Sequence, residues 1–557
     1  MTAPTGTPTQ KLYGLDSESR QMVIDTIHQL KTRLLSTDKI LAYDKEERFP
    51  EETVRQMLGP DIGLQLLFIP EQYGGMGGGA RDCCEVTREM CKICLGVGTA
   101  FFAIQLGADP ILVGGTEEQK AKWLGAIAEG EALVAYAVTE PEAGSNLAAL
   151  KTKAEPVVDD NGQISGYKIN GTKQFISTGG FADFITLLAV TPEGPTFFIV
   201  EKGTPGFEQG KGEEKHGIRA SNTSPLTFSD VFVPVDNLVG GVPGKGLKQA
   251  NKVFGYTRVM VGAMALGAGE AALEIAIPYA KERVQFGTPL SEKQGYTHKL
   301  IVPNAVRMEA ARAYIDEVSL RLDSGEFDLQ VEGSIAKLFT TEAANIAADN
   351  AMQALGGYGY ISEFEIEKIK RDVRITTIYE GTSEIQQNII STMRWKKTWK
   401  TKGAYYADLG SEMETLAQSS PETGSRNYGL AAVALNELIL LAHAKRLTRQ
   451  QYVMFALADM MTYVEVGVSL ARKAAGIADP NSDKAEIIRT SSRLFAGEVA
   501  TLVADRTLKV LLGSGVLEQD QVQAYLQKIK YQDLVSSCKN MIEDMDRVAD
   551  LLFARAS

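Results

Sequence analysis

The sequence predicts a multidomain α+β protein in which a helical region, a β-rich region, a second helical region and an extra helical module follow one another. Three observations carry this. Apolar residues recur at three- and four-residue spacing from about residue 16 to about 130, as amphipathic helices require. Near residue 134 the texture changes to short runs rich in β-branched and aromatic residues, separated by Gly, Pro and polar turns. Helical spacing returns near 246 and, after a polar interval, fills residues 428–555. With 557 residues and 44% hydrophobic content, the chain can bury cores for several ordinary domains.

The expected divisions are 1–133, 134–245, 246–397 and 398–557. In the first, IPEQYGGMGGG (69–79) reads as a turn-rich loop, and GGTEEQKAKWLGAIAEGE reads as a capped helix, with Thr116 as the cap and two acids at its positive end. In the second, GYKINGTKQFISTG, DFITLLAVT, PTFFIVEK and PLTFSDVFVP read as strands of a small, barrel-like β-domain, and DDNG (159–162) as a turn. In the third, Pro303 and the glycines of LGGYGY are expected to break helices. The stretch KTKGAYYADLGSEMETLAQSSPETGSRN reads as a linker or a partly ordered crossing. After it comes a set of amphipathic helices, connected internally at GIADPNSD.

Composition excludes several functions. A net charge of −12 argues against binding a nucleic-acid backbone. The N-terminus MTAPTGTPTQKLYG lacks the basic and apolar regions of a secretory signal. No run approaches the roughly 18 to 20 uninterrupted apolar residues of a spanning helix, so a cytoplasmic location is expected. Four of the five cysteines fall in DCCEVTREMCKIC. On one helix Cys83 and Cys94 would stand about 16 Å apart, too far for one ion to gather all four thiolates. His28, His216, His298 and His443 are scattered, and no metal is expected.

Glu380, in ITTIYEGTSEIQ, is locally ambiguous. Thr377-Ile-Tyr-Glu380 matches the S/T-x-x-E capping box, in which the glutamate bonds back to the cap N–H. Gly381 is then a poor next helical residue, costing about 1 kcal/mol relative to Ala. A carboxylate held at a junction for proton abstraction is the other reading.

Four stretches, in order, resemble the signatures of the flavin-dependent acyl-CoA dehydrogenases: YAVTEPEAGSN (136–146), KQFISTGGFAD (173–183), RVQFG (283–287) and QALGGYGY with RDVRITTIYEGTSEIQ (353–360, 371–386). The resemblance covers about residues 15 to 395 and implies a helical domain, a β-domain and a four-helix bundle, with FAD as cofactor. It implies flavin contacts from Tyr136, Val138, Thr139, Gly144 and Ser145. Phe175 would cover the flat ring, with Ile176 beside it and the Ser177 hydroxyl near N5. Most members carry Trp and Thr where this chain has Phe175 and Ser177. Arg283, Phe286, Gln294, Gln353, Gly356 and Gly357 resemble residues that reach the flavin of a neighbouring subunit, which implies a homodimer. Thr382 and Glu384 would border the cofactor.

For the substrate, an acyl-CoA thioester, the resemblance points to Ser145, Arg258, Tyr379 and Gly381. Gly255 stands where relatives often have an acid. Glu380 matches the base that takes the α-proton while the β-hydrogen leaves as hydride to flavin N5. The product is a trans-2-enoyl-CoA, as in fatty-acid β-oxidation, and the electrons pass to an electron-transfer flavoprotein. An acyl-CoA oxidase, an enoyl-CoA reductase or a non-catalytic flavin-binding scaffold are the alternatives within the same fold. The C-terminal addition resembles that of the very-long-chain members, where it supports dimers and membrane association. Here interdomain packing is the favoured reading of its apolar helices, because the acidic chain offers no help with anionic lipid. In AIQLGADPILVGG, read as a wall of the acyl pocket, Gly107 is expected to give depth, and Asp109-Pro110 suggests a shorter, branched or functionalised acyl group.

Overall fold

The structure, a computed structural model, describes residues 14–326 and 328–555. The N-terminal stretch up to Tyr13, on which the expectation of no secretory signal rests, lies outside the described residues. The chain forms two compact units, one reaching Met260 and including Asp316–Gln330, the other Val261–Ile315 with Val331 onward.

Among the described residues of the first unit six α-helices come first: α1 (Ser17–Arg33), α2 (Thr37–Lys45), α3 (Glu51–Leu58), α4 (Ala80–Ile93), α5 (Leu95–Gly114) and α6 (Glu117–Ala128). Thr116 caps α6 as expected, accepting from Gln119 N while the Gln119 side chain accepts from Thr116 N. The cysteines Cys83, Cys84 and Cys91 lie on α4, whereas Cys94 stands just past its end and precedes α5. All four thiols are buried and unbridged, and burial pushes Cys83 up to about 12.

Seven strands follow: β1 (Val134–Ala137), β2 (Lys153–Val158), β3 (Ile164–Ser177), β4 (Phe184–Thr191), β5 (Gly194–Glu201), β6 (Phe207–Gln209) and β7 (Thr223–Pro234). They form one curled sheet in the order β1-β4-β2-β3-β7-β6 with β5 on β4. β4 carries β5 along one edge. On its other edge it meets β1 at Phe184–Leu187 and β2 at Val190. β5 and β6 remain edge strands. Between β2 and β3, Asp159 accepts from the N–H groups of Asn161 and Gln163, and Gly162 takes φ +76°, so DDNG makes the expected turn. Tyr167, Ile185, Leu187, Phe198, Val200 and Phe228 fill the sheet's core.

Gly107 does not open a pocket. A Cβ there would stand 2.6 Å from Val134 Cγ1 and 3.0 Å from Ala135 N, so the glycine lets α5 lie close on β1. Asp109, the one charged residue of α5, is buried with it.

α7 (Gly246–Glu282) carries the chain from the first unit into the second. There follow the hairpin β8 (Val284–Gln285) and β9 (Thr288–Pro289), then α8 (Gln294–Tyr296), a π turn (Thr297–Ile301), α9 (Val302–Asp323) and α10 (Gln330–Ala354). The break expected at Pro303 is a widened turn instead. The proline sits in the first turn of α9, where its missing N–H falls against the irregular bonding of the π turn. The LGGYGY glycines do interrupt the helix: α10 ends before them and α11 (Gly357–Tyr360) is one turn long. α12 (Glu365–Val373) and α13 (Ser383–Lys400) complete the bundle. A Cβ at Gly269 would stand 2.5 Å from Met308 Sδ and 3.2 Å from Ala344 Cβ, which shows how closely α7, α9 and α10 approach.

The extension holds α14 (Ala404–Ser419), α15 (Ser425–Ala444), α16 (Gln451–Ala475), α17 (Asp483–Ser514), α18 (Gln519–Lys528), α19 (Tyr531–Ser536) and α20 (Met541–Phe553). The linker expected over 400–427 is thereby corrected. α14 buries Tyr406, Gly410 and Met413, one helical face of small area, and a Cβ at Gly410 would meet Val433 on α15 at 2.7 Å. Arg394 on α13 joins Glu332 on α10 to Glu465 on α16, each at 2.8 Å, and Tyr406 donates to Glu465 at 2.8 Å. All four are buried, so the extension is fixed to the bundle by a satisfied ion network.

Candidate active site

In the first unit, β1 carries Tyr136, whose ring meets Phe197 at 5.8 Å and Phe254 at 6.4 Å. Beyond the strand, the backbone of Val138 and Thr139 is tied to β3. Lys173 Nζ donates to Val138 O at 3.0 Å and Gln174 N to Thr139 O at 2.9 Å. Thr139 is half-buried, and Gly144 and Ser145 lie exposed on the loop that follows. That loop is closed by Glu140, which accepts from Lys151 N at 2.6 Å, Thr152 N at 3.0 Å and Lys173 Nζ at 2.7 Å.

Glu140 and Lys173 are both buried. Burial alone pushes the Glu140 carboxyl up, but Lys173 and the N–H donors bring it below its ordinary value. Burial lowers Lys173 to about 8 against the pull of Glu140.

Phe175 is set by a bulge. Between Lys173, opposite Leu226, and Ile176, opposite Ser224, the register of β3 on β7 shifts, and Phe175 takes φ +60°. Phe175 therefore stands outside the sheet's core, 63% exposed. Ile176 is buried and Ser177 half-buried beside it. Arg258 on α7 is buried, its guanidinium 5.8 Å from the Phe254 ring.

In the second unit, the Glu380 segment is a turn and not a helix start. A 3₁₀ turn (Arg374–Thr377) precedes it, and α13 begins at Ser383 with Thr382 as its cap, whose hydroxyl accepts from Ile385 N at 3.4 Å. The capping box at Thr377–Glu380 is not formed. Glu380 has φ +54° and Gly381 φ +91°, conformations outside any helix and uncommon for a side-chain-bearing residue. Three hydrogen bonds hold this backbone. Gln386 Nε2 donates to Glu380 O at 3.0 Å and Gly381 O at 2.9 Å, and the buried Lys337 of α10 donates to Gly381 O at 2.6 Å. The Glu380 side chain is half-buried, and Tyr379 beside it reaches Met264 Sδ on α7 at 3.7 Å. The Glu384 carboxyl lies below its ordinary value through its own N–H and the Thr382 hydroxyl, as suits the first turn of a helix.

Arg283 lines a cavity of about 460 Å³ with Tyr279, Leu355, Gly356, Gly357 and Tyr358. At Gly356 and Gly357 an added Cβ would meet nothing within 4 Å. Phe286, at the tip of the β8–β9 hairpin, has φ +51° and is 96% exposed. Gln353 is exposed, while the Gln294 amide donates to Asp546 of α20 at 3.1 Å.

The expected residues thus gather in two groups, Tyr136–Ser145 with Phe175–Ser177 and Arg258 in one unit, and Arg283–Gln294, Gln353–Gly357 and Tyr379–Glu384 in the other. Sequence reasoning missed the residues that hold them: Glu140, Lys173, Lys337 and Gln386. A lysine inside an otherwise apolar helix, as in GSIAKLF, is the signal that could have found Lys337.

Comparison with known proteins agrees with this layout. The family model for the acyl-CoA dehydrogenase N-terminal domain matches residues 17–131, that for the middle domain 135–231, and that for the C-terminal domain 244–393 and 409–536. An acyl-CoA dehydrogenase of Bacillus subtilis is 41% identical over 354 residues, 62% of this chain and 90% of the relative. A chain in the structure described as the electron transferring flavoprotein of Acidaminococcus fermentans is 34% identical, with TM-score 0.64 over 68% of this chain and 98% of that one. The acyl-CoA dehydrogenase of Bacillus anthracis, solved in complex with FAD, is 24% identical with TM-score 0.84. It covers 98% of this chain and 96% of its own, so its fold includes the extension. The chain belongs to the acyl-CoA dehydrogenase family.

Proposed function

We propose that the protein is an FAD-dependent acyl-CoA dehydrogenase that uses Glu380 to take the α-proton of a bound thioester and passes electrons to an electron-transfer flavoprotein. One observation carries this: Glu380 stands on a turn outside the helix, with its own carbonyl and that of Gly381 fixed by Gln386 and Lys337. A cap would need neither the strained backbone nor its two supports. A general base is served by a fixed turn, because proton transfer demands a placed carboxylate.

The residues of the first unit suit a flavin. The exposed Phe175 ring offers a flat apolar face, and the loop tied to it brings the half-buried Thr139 alongside, with Ser177 two residues along the strand. When bound, FAD supplies the acceptor for the electron pair that leaves with the β-hydrogen, giving a trans-2-enoyl thioester. Tyr136, Val138, Thr139, Gly144 and Ser145 would hold its polar edge, and Thr382 and Glu384 would border it. Arg258, Ser145, Tyr379 and Gly381 would orient the thioester. Arg283, whose fork suits a pyrophosphate, belongs with Phe286, Gln294, Gln353, Gly356 and Gly357 to a surface for a second subunit's flavin. The almost fully exposed Phe286 supports a homodimer. The similarity to a chain solved under an electron transferring flavoprotein description supports that acceptor.

Anaerobic titration of the purified flavin-containing protein with short, branched and long acyl-CoA thioesters tests the reading. At least one should bleach the flavin, and the electron-transfer flavoprotein should restore its colour. Bleaching by none would overturn it.

A further inference from the structure

The extension is fastened to the helix that starts at the Glu380 turn. α13 begins at Ser383, and neighbouring residues of its first turn face different ways, since each step along a helix rotates by about 100°. Gln386 is buried and clamps the carbonyls of Glu380 and Gly381. Gln387, the next residue, reaches α16 of the extension, where its amide donates to Asp459 Oδ1 at 2.8 Å. Arg506 of α17 meets the other oxygen of that carboxylate at 3.3 Å. The Ser383 hydroxyl, at the start of the same turn, donates to Glu342 of α10.

A single tether leaves a helix free to turn about it. α13 has a second one to the same partner, for Arg394 meets Glu465 of α16 at 2.8 Å. The steps from Gln387 to Arg394 and from Asp459 to Glu465 each span about 10 Å of helix. α16 therefore runs parallel to α13 and is fastened at both ends of that span. Two separated, directional fastenings fix where α13 stands along its axis and how it is rotated. Those two variables decide whether Gln386 reaches the carbonyls of Glu380 and Gly381.

Holding the helices together does not by itself call for a carboxylate at this place. Burial pushes the Asp459 carboxyl up, against the support of Gln387 and Arg506. An apolar pair of similar volume often joins two elements as firmly without that cost. What the carboxylate adds is direction, because its two oxygens take one donor from α13 and one from α17. We propose that Asp459, acting through Gln387, is a positioning residue for the Glu380 turn, so that the C-terminal extension sets the rate of proton abstraction. The inference rests on Glu380 being the base.

Two readouts on the full-length holoprotein test this, one of them independent of chemistry. In hydrogen exchange followed by mass spectrometry, Gln387→Met and Asp459→Leu should each speed exchange across residues 378–388 by about tenfold. In anaerobic stopped-flow with a thioester that bleaches the flavin, both should slow reduction about fivefold while the Kd for that thioester holds. Asp459→Asn keeps an oxygen for Gln387 and should stay within about twofold of wild type in both readouts. Should Asp459→Leu not fold, Gln387→Met, a half-buried change of matching volume, carries the test. Added to Gln386→Leu, Gln387→Met should slow reduction no further, because the fastening acts through the clamp. Unchanged exchange, an unchanged reduction rate, or fully multiplicative effects of the two glutamine substitutions would overturn the proposal. Glu380→Gln in the same assay tells the two failures apart. If it reduces as fast as wild type, the base assignment has failed and the proposal falls with it. If it is slow while Gln387→Met is not, the base stands and Asp459 only joins the helices.

Discussion

The Glu140 loop and the Glu380 turn each place a glutamate beside a residue that ends regular structure, and the two carboxylates meet opposite fates. At Glu140 the restraints fall on the side chain: two backbone N–H groups and a buried ammonium occupy it, and a loop of a dozen residues is closed as a result. At Glu380 the backbone is held as well, through Gln386 and Lys337. A carboxylate committed to N–H donors and a lysine serves the fold. Under the proposed function, one presented from a fixed, strained turn serves chemistry, and the strain is the cost of presenting it.

The largest expected effect breaks that comparison on the Glu380 side. Glu380→Gln keeps size and hydrogen-bonding capacity but removes the base. Reduction of the flavin by a substrate thioester should slow by about 10²- to 10⁴-fold in stopped-flow absorbance, with flavin content and thermal stability retained. A loss of stability with little loss of rate would mean that Glu380 resembles Glu140 after all.

Next is the buried ion pair. Lys173→Met leaves Glu140 buried without its counter-charge and should cost about 3–5 kcal/mol in urea unfolding, together with weaker flavin retention. The acid limb of the stability profile sharpens the test. Because the Glu140 carboxyl is held below its ordinary value in the folded protein, its contribution is present above the usual carboxylate range and is lost as pH falls through the lower folded value. In Lys173→Met that carboxyl loses its main support, so the loss should begin at higher pH. Identical profiles for the two proteins would show that the lysine does not hold Glu140 ionised.

How much of this could be read beforehand follows from where each signal resides. Helices with broad apolar faces and strands bounded by turn residues declare themselves by period, and the helical, β, helical order was legible for that reason. α14 was not, because its buried face is only Tyr406, Gly410 and Met413, and the glycine that lets it approach α15 reads locally as a turn residue. Phe175 depends on a register shift between two strands, a property of the pair that neither strand's sequence carries. Glu380 could not be separated from a capping glutamate by its neighbours, because the cap that forms uses Thr382 instead of Thr377.

The smallest effect probes the turn's backbone directly. Gln386→Leu removes both donors from the carbonyls of Glu380 and Gly381 while leaving Lys337 on the second. Stability should fall by only about 1–2 kcal/mol, because one partner remains and the turn is half-exposed. Turnover should fall by about tenfold with KM little changed, since a misaligned base affects the transition state more than binding. The conservative Gln386→Glu offers no N–H to either carbonyl at neutral pH and should behave like the leucine variant. If instead both variants lose stability while turnover per folded molecule is unchanged, Gln386 only staples the start of α13. The geometry of Glu380 would then rest on Lys337 and the glycine alone.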